Sequence, residues 1–428
     1  MVKSGLTVTL IVICLVACTG PSPDPAPVRP PVAVDDDSPT PSAKPSPAGT
    51  DNISIDSSDA VVDRTAGGEL VDVGMDVDLT PIPVGRFYWL DPFGNIVDKH
   101  ADASHRIEVQ PLDGSEAVDF GASPWVGRAA NDGENGTYGE VAFDGTSLVW
   151  QSRHETMDLR FDSYDVFAMQ RGGEPVKIGE STVDDPSAPE GEQMYSAPGD
   201  GNYLTIASRR AWWVDGEPGA DTNMRWTSSI YSAPLDGHSP QTESIAGSRL
   251  VKVDSCDGAS SPTLTYAIDP MSTGEPNADS ELWSTTLDDA GDVSKAQLLL
   301  KHAGIDIASY DTCGDDWALA YTIPTADDEY DGFIDLSSGD QITTISMGNL
   351  NSAGRVTVVP TGVFFFNWGV PDRQYYWSNG ARTLYDIGRG LSFGTESSAD
   401  GTRVVMAEAT DPLDDASGLI PRVVTLAP

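Results

Sequence analysis

Carboxylates are the commonest groups in this chain that could do chemistry. Aspartate and glutamate number 66 against 25 lysines and arginines, a formal charge of −41 over 428 residues. Some of them stand in short turn-rich segments: Glu217 and Asp221 in "GEPGAD", Glu275 and Asp279 in "GEPNAD", and Asp327, Asp328, Glu329 and Asp331 in "ADDEYDG". Asp327-x-Glu329-x-Asp331-Gly332 sets hard oxygen donors at alternate positions around a glycine, an arrangement open to calcium. A twelve-residue calcium loop counted from Asp327 would end at Ser338, which cannot supply the bidentate carboxylate. Asp372 and Arg373 are flanked by Trp368, Tyr375, Tyr376 and Trp377. Carboxylates beside aromatic rings suit calcium, a cationic ligand, or a glycan held by stacking. Polar loops on an acidic protein, with the aromatics buried, would give the same pattern.

Motifs for catalysis do not assemble. There is no G-x-S-x-G elbow, HExxH, P-loop or Rossmann glycine fingerprint. The five histidines, His100, His105, His154, His238 and His302, have no triad-like sequence context. Carboxylate pairs could serve glycoside cleavage, but with so many carboxylates any pair is cheap. No motif demands a cofactor, calcium at Asp327, Glu329 and Asp331 being the one candidate. An acidic surface repels nucleic acid, whose binding needs lysine and arginine at the phosphates. A solvated surface suited to a saline habitat is the plain reading of the charge.

The chain starts with Lys3 and an eleven-residue apolar run, Leu6 to Val16. That is too short to cross a bilayer, which takes ~20 residues, and it suits a secretory signal. The run ends in Leu15-Val16-Ala17-Cys18, which resembles the lipobox of bacterial lipoproteins. The resemblance implies cleavage before Cys18, lipid on its thiol, and residence on the outer face of the cell membrane. Residues 1–17 are then the signal, and 18–59 a lipid-anchored, disordered linker rich in Pro, Ser and Asp. "PSPDPAPVRPP" and "SPTPSAKPSP" favour extended polyproline II. Some 40 such residues reach about 120 Å, enough to lift a domain off the membrane.

Residues 60–428 lack long amphipathic helical patterns; "KAQLLLKHA" is the only segment that suggests a helix. Short Val-, Ile-, Tyr-, Trp- and Phe-rich runs alternate with Gly, Asp, Pro and Ser, the all-β signature. Two motifs recur in fixed order. One is a turn and strand, as in "FDGTSLVW" and "SADGTRVV"; the other is a strand and turn, as in "IEVQPLDG", "VFAMQRGG" and "IYSAPLDG". They return at intervals of about 40–65 residues, near the length of a four-stranded propeller blade. Sandwich strands would not return in this fixed order seven times; a β-sandwich or a β-helix is the alternative architecture. The pattern resembles TolB-like and WD40-like β-propellers, which implies about seven blades, six being possible. The α/β domain that precedes the propeller in true TolB is missing, so that family's partner binding does not carry over.

With strands A to D running outward from the central channel, the "DG" turns join A to B and the "LDG" turns join C to D. The B–C loops then share the opposite face and hold Glu217, Asp221, Glu275, Asp279, the Asp327 segment, Trp368 and Tyr376. Cys256 and Cys313 fall in A–B turns of successive units, where a disulfide would close a 57-residue separation. These features imply a monomeric, surface-tethered, non-catalytic propeller that binds a protein or glycan. The second reading is a carbohydrate-active or metal-dependent hydrolase working from the acidic B–C face. Cys18→Ala is expected to abolish incorporation of labelled palmitate and to release the protein from the membrane fraction. Unchanged labelling would rule out lipid on this thiol.

Overall fold

The protein is described from a computed structural model covering residues 50–54, 78–81, 87–90, 95–99, 106–111, 116–122, 138–153, 164–181, 204–218, 226–254, 256, 262–268, 279–288, 291–324, 330–338, 341–348, 352–368, 373–389, 396–397, 403–409 and 419–425. All of these belong to one unit, Pro47–Pro428. Among the described residues there are strands and turns but no helix.

Two strands precede the repeats, β1 (Thr50–Ser54) and β2 (Asp78–Pro81). Blade 1 is β3 (Phe87–Leu90), β4 (Asn95–Lys99), β5 (Arg106–Pro111) and β6 (Val118–Ala122). Blade 2 is β7 (Tyr138–Phe143), β8 (Ser147–Arg153), β9 (Tyr164–Gln170) and β10 (Val176–Glu180). Blade 3 is β11 (Leu204–Ala207), β12 (Arg210–Pro218), β13 (Trp226–Pro234) and β14 (Thr242–Ala246). Blade 4 is β15 (Arg249–Val253), β16 (Thr263–Ile268), β17 (Asp279–Leu287) and β18 (Val293–Ala303). Blade 5 is β19 (Asp306–Cys313), β20 (Asp316–Pro324), β21 (Tyr330–Ser338) and β22 (Gln341–Gly348). Blade 6 is β23 (Ser352–Val359), β24 (Gly362–Trp368), β25 (Arg373–Ser378) and β26 (Thr383–Arg389). Blade 7 is β27 (Glu396–Ser397), β28 (Arg403–Ala409) and β29 (Leu419–Thr425), with β2 as its outer strand.

The fold is therefore an all-β propeller of seven sheets, each an antiparallel meander at its core. The first strands β3, β7, β11, β15, β19, β23 and β27 lie one against the next and mark the inner wall. Closure comes from β2, which pairs antiparallel with β29 from Asp78↔Thr425 to Pro81↔Arg422.

The strand β1, Thr50–Ser54, falls inside the expected 18–59 linker and pairs in parallel with β22. "KAQLLLKHA" forms most of β18, because pairing with β17 along its length overrides a short local helix preference.

The recurring turns are chemically explicit. In the A–B turn of blade 2, Asp144 Oδ1 accepts from the amides of Thr146 (2.8 Å) and Ser147 (2.6 Å). Gly145 sits at φ +91°, a conformation its lack of Cβ allows. In the C–D turn of blade 3, Asp236 Oδ1 accepts from His238 N (3.0 Å) and Gly237 sits at φ +67°.

Blades pack face to face through apolar side chains. Leu204, Ile206, Trp213 and Val214 of blade 3 share a core with Val149, Tyr164, Val166 and Ile178 of blade 2. A Cβ on Gly179 would come within 2.5 Å of the Trp213 ring, so only glycine lets these sheets approach. Polar clips cross the joint between blades 4 and 5. Tyr310 donates its hydroxyl toward the carbonyls of Leu250 (2.9 Å) and Thr265 (2.5 Å). Asp254 accepts from Gly314 N at 2.7 Å. Cys256 and Cys313 form the expected disulfide, across a sequence separation of 57. The chain-entropy model gives such a bridge about 4 kcal/mol.

Asp311 joins three blades. It is fully buried, meets Lys252 Nζ of blade 4 at 3.4 Å, and accepts from Val358 N of blade 6 at 2.7 Å. Asp311→Ala would strand a buried ammonium and a buried amide, and is expected to cost ~3–5 kcal/mol in denaturant unfolding. A loss below ~1 kcal/mol would show that the pair does not clamp the joint.

Candidate functional site

The strand directions put the ends of β12, β16, β20 and β24, and the starts of the strands that follow them, on one face of the ring. This is the B–C face expected from the sequence. The described side chains there are richest at the outer corner of blade 4 and its junction with blade 5.

On β17, Asp279, Glu281 and Trp283 alternate with inward residues and so share one face. Lys301 of β18 stands directly opposite Glu281. Its ammonium donates to Asp279 Oδ2 and to Glu281 Oε1, each at 2.8 Å. Trp283 Nε1 donates to the other Glu281 oxygen at 2.9 Å. Glu281 is thus gripped by an indole and an ammonium while its side chain remains 20% exposed. Hydrogen bonds to Asp279 and Glu281 hold Lys301 protonated well above the ordinary lysine range. Tyr266 lies across the sheet from Trp283 on the same face. Burial, and then the Glu281 charge, push its hydroxyl up.

The next residue, His302, points to the other side of β18. Its ring packs on Tyr321 of β20 at 5.6 Å between centroids, and Tyr321 stacks in turn on Phe333 at 5.5 Å. His302 Nδ1 lies 2.9 Å from the Ala303 carbonyl. A carbonyl only accepts, so Nδ1 is the donor of this pair. Behind this pair sits Asp335, 8% exposed. It accepts from Thr344 Oγ1 at 2.6 Å and is hydrogen-bonded to the Tyr321 hydroxyl. Burial raises the Asp335 carboxyl above the usual range, opposed by Thr344, His302 and Tyr321. Burial and the Asp335 charge push the Tyr321 phenol strongly upward.

Of the residues singled out by sequence, Asp279 belongs to this corner and is ion-paired. Asp331 is half-buried, at the start of β21 on the same strand face as Phe333 and Asp335. Glu217 and Trp368 end β12 and β24 at the B–C face as far as the backbone is concerned. Asp221, Glu275, Asp327 and Glu329 lie outside the described residues, as does Cys18. Among the described residues, no group of three or more His, Cys, Asp or Glu side chains is placed to hold a metal.

Tyr376 is corrected. It is 1% exposed, and its ring packs between Phe364 and Tyr385 with its hydroxyl on Thr361 Oγ1 at 3.0 Å. Tyr375 and Trp377 are likewise buried, so this aromatic run is blade core and not a ligand platform. Glu281, Trp283, Lys301, Tyr321 and Asp335 were missed by sequence reasoning. A strand-face reading of "DSELWS" would have found the first two; the rest meet only through cross-strand and cross-blade packing.

No protein-family model matches the chain, and no curated protein matches it. Among solved structures it is similar to the β-propeller domain of the Trilobed protease from Pyrococcus furiosus, with 11% identity, TM-score 0.45, and coverage of 81% of this chain and 93% of that one. It is similar to oligogalacturonate lyase from Vibrio parahaemolyticus, with 9% identity, TM-score 0.46, and coverage of 83% and 97%. A third is a puromycin-hydrolyzing peptidase of Mycobacterium tuberculosis, with 11% identity, TM-score 0.42, and coverage of 81% and 51%. The chain spans about half the length of that peptidase.

These similarities correct the expectation of a non-catalytic binding module that is not an enzyme. The similar structures are enzymes or parts of enzymes.

The raised Asp335 value has a definite sign. Its ionised form is disfavoured in the fold, so the penalty is absent below the ordinary 3.8 and grows as pH rises through the folded value. Asp335→Asn is expected to gain in melting temperature relative to the unsubstituted protein as pH rises from about 4 toward 7. A difference that is constant with pH would contradict this.

Proposed function

We propose that this chain is a carbohydrate-active enzyme, held on the outer face of the membrane by lipid on Cys18 and working from the B–C face at blades 4 and 5. The observation that carries the reading is the corner of β17 and β18. One side displays Asp279, Glu281, Trp283 and Lys301 together. A partly exposed indole with carboxylate and ammonium partners is suited to a sugar ring, whose faces are apolar and whose rim is hydroxyl. In this reading Trp283 offers the stacking surface, and Glu281, Asp279 and Lys301 order the hydroxyls. His302, turned to the opposite side of β18, packs on Tyr321 and steadies the strand that carries Lys301.

The charge favours one class of substrate. A field set by −41 formal charges disfavours polyuronates and favours neutral or amino-sugar polymers. The Pro-rich spacer supports this location, since it would set the face against envelope polymers rather than soluble metabolites.

The test is turnover by the purified full chain on neutral, amino-sugar and uronate polysaccharides, read as new chain ends. Cleavage of the first two classes is expected. Trp283→Ala and Glu281→Gln should each lower kcat/KM by at least about tenfold, the scale of a lost stacking or charged hydrogen-bonding contact. No cleavage of any polymer, or full activity in both variants, would overturn the reading.

A further inference from the structure

The outer strands of the seven blades are not equivalent. Six of them carry charge or proline, which discourages pairing with another chain. These are β6 (VDFGA), β10 (VKIGE), β14 (TESIA), β18 (VSKAQLLLKHA), β26 (TLYDIGR) and β2 (DLTP). The seventh, β22 (QITTISMG), has neither over 8 residues and is rich in β-branched side chains. Left bare, it is the edge most open to strand addition. It is also the edge that is covered: β1 pairs in parallel along it, Thr50↔Ile342, Asp51↔Thr343, Asn52↔Thr344, Ile53↔Ile345 and Ser54↔Ser346.

We propose that Thr50–Ser54 is an intramolecular strand latch that caps blade 5 and fixes where the N-terminal spacer leaves the propeller. Two independent features meet here, the uncharged edge and the segment in register with it. The acceptor is preformed, because β22 is held by β21 on its inner side and buries Ile345 and Met347. The main-chain groups of β22 that point away from β21 are those a parallel strand satisfies.

Two consequences follow. The latch shortens the spacer. From Cys18 to Thr50 is 32 steps, an extended reach of ~100 Å, whereas 60 steps to Asp78 would allow ~190 Å. This part rests on the lipid-anchor reading. The latch also stiffens the strand that carries Thr344, the hydroxyl donor to Asp335, so the spacer's attachment lies on the far side of the same sheet from the His302 pair.

Hydrogen exchange on the full chain tests the latch without reference to lipid or catalysis. Residues 50–54 are replaced by Gly-Ser-Gly-Ser-Gly in one variant, and a second carries Asp51→Pro with Ile53→Pro. In the unsubstituted protein, the alternate β22 amides between Ile342 and Ser346 that point away from β21 should be protected. In both variants they should exchange at least about tenfold faster, with the amides paired to β21 unchanged. The unchanged set reports that the blade remains folded. Equal exchange in all three proteins would overturn the latch.

Discussion

No blade of this protein can hide both of its faces alone. The sheet of blade 3 is apolar on two sides, as the burial of Trp212 and Trp213, adjacent residues pointing opposite ways, makes plain. Stability therefore comes from neighbours, and the seventh sheet must meet the first. That constraint explains why an early strand, β2, ends up beside the last strand of the chain. Sewing the N-terminal and C-terminal segments into one sheet closes the ring by hydrogen bonds as well as by contact. It also explains the glycine at position 179, where the ring of Trp213 takes the space of a side chain.

The joints are not uniform. Blades 4 and 5 share a disulfide, a buried ion pair, a tyrosine bridging two carbonyls and an aspartate holding an amide of the next turn. The candidate site lies at the outer part of this same joint. A rigid inner hinge fixes the spacing between β18 and β20, and with it the packing of His302 on Tyr321. A buried carboxyl such as Asp335 is tolerated only where the frame cannot relax around it, since its desolvation is offset by just a hydroxyl or two. The clustering of clips and of titratable groups in one joint is thus a single physical arrangement.

The charge of the protein acts differently. With acidic residues spread over many loops, the surface stays soluble and selects ligands by sign, but it does not point to a site. On blade 4 the carboxylates are partnered: Glu281 has both oxygens engaged and Lys301 is shared between two acids, as Lys177 is on blade 2 between Asp165 and Glu180. Partnered groups hold a geometry that lone surface carboxylates cannot.

The sequence by itself determined the all-β class, the repeating meander, the turn chemistry of Asp144-Gly145 and Asp236-Gly237, and the pairing of Cys256 with Cys313. These are local, or repeat at a fixed interval, so composition and spacing suffice to read them. Tertiary structure decided the rest. Tyr376 and Glu281 look alike in sequence, each a polar group on a strand among aromatics, yet one is sealed in blade 6 and the other reaches solvent on blade 4. Only the packing of one sheet on the next separates them. His302, Tyr321 and Asp335 come from three strands of two blades, and Thr50–Ser54 joins β22 across nearly 300 residues of chain, 342 − 50 = 292. Such contacts depend on how the ring closes, and no local pattern encodes them.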